Sequence, residues 1–526
     1  MAPHSSFKPL SIPRNFDSLI FLMLFCYSIN ATLVDVVGFP NIFKPLFLLC
    51  SVTILTWSLY SHKPPIYQLK VIIGFCFLGI EQTLFILPLI ILPQMMRSTK
   101  KLSFQIPHLI LLLYLTYCLV LMLFYTIIDF SFFTPILWYL ITGGQLILFL
   151  HYYRYQYDSQ DLIEILSFFK KLILLQVIFL AAQLVIHRSF YPGDLWSGSF
   201  HDADKAGFFL LLLLIYYIIP PFLLKNQSLL KLKSRKGVVV LAMALAVLLC
   251  DAKILSAITI VSSVLYVILT VFSQLFNRHT QTSTNKTTLT TLLIFMSSFF
   301  VLSILNLYLN RISAGQINNI FEITSTYTGS TLKEASKKVL AGTNTKAVLY
   351  HRTYSQWARD NPFTWFFGAG PGRFDSRTSN ILAYDILYKD ENQFRLPSVI
   401  PPYSSYWVKK YMNDVWTKEI SEAARWRSAN LSFPFAGLIA IKAETGLVGL
   451  VLFHLFIFSC IYFLKKKLDA SNTPIIQNWT IIISIFWLSL PLQMLIDNIQ
   501  EKPQIMLPML LLTTIILKTN MSAQPK

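Results

Sequence analysis

Long apolar runs separated by short polar connectors dominate the chain, at 17–38, 43–61, 66–95, 105–128, 132–151, 171–187, 206–224, 238–250, 254–274, 289–309, 442–463, 476–495 and 503–518. A helix needs about 20 mostly apolar residues to cross a bilayer, so this pattern predicts an all-α, polytopic transmembrane bundle of about 12–14 spans. The run 66–95 is long enough to be bent or double. The first residues, up to Asn15, carry no small-residue cleavage site and lead into a first span rather than a removable signal peptide.

Basic residues mark the connectors. The cluster Lys225, Lys231, Lys233, Arg235 and Lys236 reads as cytoplasmic, as do Arg278 with Lys286, and Lys465 to Lys467. Segments 188–205 and 310–432 then fall on the outer side and the C-terminus on the inner side. At the N-terminal end Lys8 and Arg14 share the inner side with Arg97, Lys100 and Lys101. An even number of spans must separate them, which a break of 66–95 near Glu81 supplies.

One stretch departs from the pattern. Residues 310–432 hold no spanning run but carry Trp357, Trp365, Trp407, Trp416 and Trp426. That is too apolar for a disordered linker. Segments 331–360 and 405–427 have helical spacing, so the stretch reads as a mainly helical extracytoplasmic cap. The chain thus divides into N-terminal transmembrane helices (1–309), the cap loop (310–432) and C-terminal transmembrane helices (433–526).

Composition agrees: 55% of residues are hydrophobic, 13% are charged and the mean hydropathy is +0.57. A soluble domain carries about 25% charged residues. The net charge of +19 is explained by the basic connectors, so nucleic acid is not an expected partner. The cap has about six more basic than acidic residues, which suits an anionic ligand. All six cysteines lie in or beside apolar runs without CxxC spacing, so neither a disulfide framework nor a zinc site is expected.

Five short stretches could carry chemistry. Trp365 to Phe374 packs Gly368, Gly370 and Gly372 into five residues, followed by Arg373 and Arg377. Such a turn lets backbone N–H groups approach an anion, although a tight turn after a helix needs nothing more. Ala443 to Leu450 opens a span with Glu444 between small residues. An ionisable residue there is a functional candidate, and also a plain helix-start carboxylate. Asp251-Ala252-Lys253 sits between two apolar runs, where Lys253 either snorkels or binds an anion. His351-Arg352 precedes the glycine turn, and Gly198 to Lys205, with Asp202, opens another span.

In their order these pieces resemble the O-antigen ligase and polymerase superfamily of bacterial membrane glycosyltransferases. The resemblance covers roughly 190–460. Gly368 to Phe374 is similar to the family's glycine turn, Glu444 to Gly449 to its Glu-x-Gly-x-x-Gly signature, and Gly198 to Phe200 to its Gly-x-Phe stretch. Arg352 and Lys253 stand near its basic positions. Where its ligases carry a His-Asn pair, this chain has Phe435 and Ala436, which favours a polymerase-like member.

The resemblance implies a bacterial inner-membrane enzyme whose donor is an undecaprenyl-pyrophosphate-linked oligosaccharide. The acceptor would be a glycan or lipid, and membrane lipids and a chain-length regulator are further implied partners. Leaving-group charge would be stabilised by Arg352, Lys253, Arg311 and Arg373 with the turn glycines. Glu444, Asp202 or His351 would take the acceptor proton. The expected reaction is metal-independent and cofactor-free, and it inverts the anomeric centre. Ligation to a lipid or protein acceptor is the first alternative, and a transporter of polysaccharide or lipid-linked sugar the second.

Overall fold

A computed structural model describes residues 16–37, 43–60, 64–97, 105–187, 197–200, 202–224, 234–250, 253–276, 349–383, 403–413 and 436–519. Among them every regular element is a helix. The bundle is built from α1 (Phe16–Val37), α2 (Phe43–Tyr60), α3 (Pro65–Cys76), α4 (Glu81–Arg97), α5 (Ile106–Asp129), α6 (Phe133–Tyr152), α7 (Ser159–His187), α8 (Ala203–Leu223), α9 (Ser234–Leu249), α10 (Lys253–Phe276), α11 (Gly437–Ala470), α12 (Pro474–Met494) and α13 (Pro503–Lys518). Seven described helices are long and apolar enough to cross a membrane: α2, α5, α6, α7, α8, α11 and α12. The chain is an all-helical membrane protein.

The apolar run 66–95 is broken as the charge pattern requires. α3 ends at Cys76 and α4 starts at Glu81. Other boundaries shift: α7 begins at Ser159 rather than near 171, and α11 extends to Gly437 and Ala470. The run 289–309, Arg311, Asp251 and most of 331–360 and 405–427 lie outside the described residues.

Helices sort by what surrounds them. α3 has 12 residues and α13 has 16, and both are buried almost throughout. At 1.5 Å rise they are only about 18 and 24 Å long, shorter than a bilayer core. α13 packs against α3, α4, α6, α7, α11 and α12 at the centre of the bundle. By contrast α2, α5 and α11 are peripheral and expose apolar strips, such as Leu109, Leu113 and Ile127 on α5 and Leu455 and Phe458 on α11. Exposed apolar side chains along a spanning helix meet lipid, so they carry no solvation penalty there.

Because α3 and α13 stop short, their ends leave non-helical backbone within the bundle. The two breaks meet: Gln504 Nε2 donates to Leu78 O at 2.5 Å. The turn before α8 is tied in the same way. Gly198 N–H donates to Gln183 Oε1 at 3.0 Å, and Gln183 Nε2 returns a bond to Gly198 O at 3.2 Å. Ser199 N–H donates to Gln176 Oε1 at 2.9 Å, and Ser199 Oγ donates to Phe77 O at 2.6 Å. Phe200 stacks on Phe209 at 5.3 Å. The Gly-Ser-Phe stretch is therefore a clamp between α3, α7 and α8.

Gln183→Leu removes one partner of each Gly198 backbone group in a buried place. The expected cost is about 1–3 kcal/mol. A lower thermal midpoint of the purified protein in detergent checks it, and an unchanged midpoint would show that the clamp is dispensable.

Candidate functional site

Two of the motif stretches, Trp365 to Phe374 and Ala443 to Leu450, are locked together. α11 is broken at Gly446 (φ 67°, ψ −168°), which frees carbonyls near its start. The chain at 368–370 fills them: Ala369 N–H donates to Ala443 O and Gly370 N–H to Glu444 O, both at 2.9 Å. Gly368, Gly370 and Gly372 all have positive φ. At Gly368 a Cβ would stand 2.3 Å from Glu444 O, and at Gly446 one would stand 2.2 Å from Phe366 O. Only glycine permits both the backbone sign and the approach. From the other side Tyr117 Oη donates to Phe367 O at 2.7 Å and Tyr125 Oη to Gly368 O at 2.9 Å.

The Glu444 carboxylate completes the lock. It is buried and accepts from Gly372 N–H at 2.6 Å, Phe374 N–H at 2.9 Å and Ser376 N–H at 3.2 Å. An ionised carboxylate is acceptor-only, so this cradle fits its charged form. Both oxygens are engaged in holding the turn.

Beside the cradle runs a buried ion network. Glu81, first residue of α4, receives Lys205 Nζ at 2.5 Å and Arg377 Nη2 at 2.7 Å. Lys205 also meets Asp202 at 3.1 Å. Glu501 accepts from Arg377 N–H at 2.7 Å and from Thr142 Oγ1 at 2.8 Å. Lys502 pairs with Asp497 at 2.5 Å. Breaks after α3, before α8 and before α13 thus supply opposite charges to one place. Burial alone would push the Asp202 carboxyl up, but Lys205 and then Lys502 outweigh it and hold it below the ordinary carboxylate range. Glu81 and Glu501 would be costly in this place without such partners.

Arg373 occupies a third position. Its side chain is fully buried, its Nε donates to Asp129 Oδ2 at 3.2 Å, and Tyr403 Oη donates to the same oxygen at 2.7 Å. Its guanidinium lies over the rings of Tyr125 and Tyr403. Among the described residues, Nη1 and Nη2 have no hydrogen-bond partner, nor do Thr378 Oγ1 and the Asn380 amide. Buried polar atoms are seldom left so, and a run of them within eight residues marks room for a polar ligand or water. On the Glu444 and Glu501 side, a cavity of about 20 Å³ is lined in part by Glu444, Thr142, Thr445, Gln500 and Glu501. That is enough for about one water.

The structure therefore gathers Gly368, Gly370, Gly372, Arg373, Glu444 and Asp202 at one end of the bundle. His351 and Arg352 belong to the adjoining segment, where a π-helical stretch runs from Arg352 to Gln356. Arg352 Nη1 donates to Tyr411 O at 2.7 Å. The segment is pinned to the bundle where Tyr350 Oη donates to Leu495 O at 2.7 Å. Burial, then Arg359 and Arg352, hold the His351 imidazole below its ordinary value. Lys253 opens α10, but its side chain is outside the described part, and Arg311 is outside entirely. No group of three or more metal-ligating side chains occurs among the described residues.

Several members of the site were not singled out from the sequence for a role there: Glu81, Glu501, Lys502, Asp129, Tyr403 and Lys442. Lys442 is buried with its Nζ bonded to Trp365 O and 4.0 Å from the Trp365 ring. A signal existed, since Glu81 and Lys442 interrupt or open apolar runs. Nothing in the sequence paired them.

No family model, curated protein or solved structure matches this chain.

Two outcomes follow from this geometry. Glu444→Gln places an amide N–H₂ among three backbone donors, so at least one is left unpaired. It should destabilise the protein by about 1–3 kcal/mol, read as a fall in thermal midpoint, whereas the lipid-facing Leu455→Ala should leave the midpoint nearly unchanged. The second outcome concerns acid. A carboxyl with a lowered folded pKa contributes stability above its unfolded value of about 3.9, and that contribution is lost as pH falls through the folded value. Asp202→Asn should flatten the loss of stability below pH about 4, and an unaltered acid limb would count against the Asp202–Lys205 contact.

Proposed function

We propose that this chain is a membrane glycosyltransferase. It transfers or polymerises undecaprenyl-pyrophosphate-linked oligosaccharide units at the extracytoplasmic face of a bacterial inner membrane, in surface polysaccharide synthesis. Its 12–14 spans would carry residues 310–432 as an outer cap. The observation that carries this reading is Arg373: a buried guanidinium beside a glycine turn, with two terminal nitrogens that have no hydrogen-bond partner among the described residues.

A sugar diphosphate already has a good leaving group. What it needs is fixed positive charge where negative charge develops. Lys205, Arg377 and Lys502 face carboxylates and set the local field, while Arg373 keeps donors in hand. Its planar fork suits phosphate oxygens. The acceptor hydroxyl must surrender a proton. Glu444 is engaged by the turn, so the base falls to Asp202, His351 or Asp129, each with part of its side chain open. Attack opposite the diphosphate inverts the anomeric centre. With Phe435 and Ala436 at the family's His-Asn positions, polymerisation is preferred to ligation.

One observation favours a second reading. A helix broken near its outer end, as α11 is at Gly446, also occurs at transporter substrate sites. Liposomes containing the purified protein and a lipid-linked oligosaccharide decide between them. Lengthening of the glycan on its carrier is expected, with Arg373→Gln slowing it about 10²–10³-fold. Movement of unaltered substrate across the bilayer, with no new glycosidic bond, would replace the enzyme by a transporter.

A further inference from the structure

The short helix Pro362–Phe367, which leads into the glycine turn, does not sit above the bundle. Its last carbonyl is bonded by Tyr117 and the next by Tyr125, both on α5. Tyr117 lies 12 residues and Tyr125 four residues before the end of α5 at Asp129. At 1.5 Å per residue the start of the turn, at Phe367 and Gly368, is therefore level with a point about 6–18 Å below that end, and the turn rises from there to Arg373 beside Asp129. Over the same stretch the outward side of α5 stays apolar, through Val120, Leu123, Phe124, Ile127 and on to Phe130. Lipid must reach at least as far as these side chains.

On Pro362–Phe367 itself Pro362, Phe363, Phe366 and Phe367 are exposed, the three phenylalanines spaced as one helix face, while Thr364 faces inward. Thr364 Oγ1 accepts from the buried Trp357 indole at 2.7 Å. The helix packs on α11, whose own outward strip includes Val451, Leu455 and Phe458. The three phenylalanines therefore join two strips that already face lipid. The backbone agrees. Gly368 N–H bonds Thr364 O, Ala369 and Gly370 N–H bond α11 carbonyls, and Gly372, Phe374 and Ser376 N–H bond Glu444. Irregular backbone in water needs no such internal accounting, whereas at membrane depth it does.

We propose that Pro362–Phe367 is a re-entrant element with Phe363, Phe366 and Phe367 against lipid acyl chains, so that the glycine turn lies at hydrocarbon depth rather than within an aqueous cap. The placement stands whatever the site does. If the glycosyltransferase reading holds, it makes the surrounding lipid the side from which a lipid-linked donor approaches the turn.

The test is a depth measurement on the full chain in phospholipid vesicles without substrate. Cys26 and Cys50 are exposed and the other four cysteines buried. A C26A/C50A background therefore admits nitroxide labels at single sites: F363C, F366C, L455C as the lipid control and Y406C, on the exposed face of the cap, as the aqueous control. The ratio of oxygen to water-soluble nickel-chelate collision at 363 and 366 should match that at 455 and exceed that at 406 severalfold. A ratio matching 406 overturns the proposal, since it puts the helix in water. Low collision with both reagents also overturns it, because other protein then covers the phenylalanines. Both labels replace exposed side chains, and the two positions read the depth independently. Neither result depends on catalytic activity.

Discussion

The structure turns on a carboxylate that serves backbone. Glu444 collects three N–H groups from the segment after the glycine turn, and the broken start of α11 offers its carbonyls to the turn itself. Inside a membrane protein, loose peptide groups have no water to fall back on. A helix break and an irregular turn can persist there only by satisfying each other, and Glu444 provides the acceptors that neither backbone can.

The same constraint explains the buried charges. Short central helices α3 and α13 end inside the bundle, and each end delivers ionisable groups to a shared place: Glu81 after α3, and Glu501 and Lys502 before α13. Lys205 and Arg377 arrive from separate segments to balance them. A charge removed from water is tolerated only when paired and hydrogen-bonded. The cost of building this cluster argues that its position, next to the turn, is used. Arg373 stands apart because, among the described residues, no oxygen is placed to accept from its two terminal nitrogens.

Much of this was legible beforehand, for identifiable reasons. Hydropathy runs predict the helices because bilayer thickness sets their length, and the charge pattern required the break of 66–95 that appears between Cys76 and Glu81. The glycines at 368, 370, 372 and 446 were conspicuous, and each takes a positive φ. Other features were not legible, for a physical cause. Glu444 stood out as an ionisable residue at a helix start, which suggested chemistry; its partners are peptide N–H groups, which no sequence pattern displays. Asp129 and Glu501 looked like ordinary ends of apolar runs, and Glu81 like a break within one.

The sequence by itself determined what is local or governed by the solvent. It indicated the membrane class, most of the described helices, a break near Glu81 and the glycine turn at 368–372. Tertiary structure alone decided which distant segments share a site: the turn at 368–372 with Glu444, Arg377 with Glu81, and Tyr117 with Phe367. Those pairings span dozens to hundreds of residues, and they arise from how helices of unequal length stack. Periodicity records which side of a helix is apolar, but not which neighbour will come to rest against it.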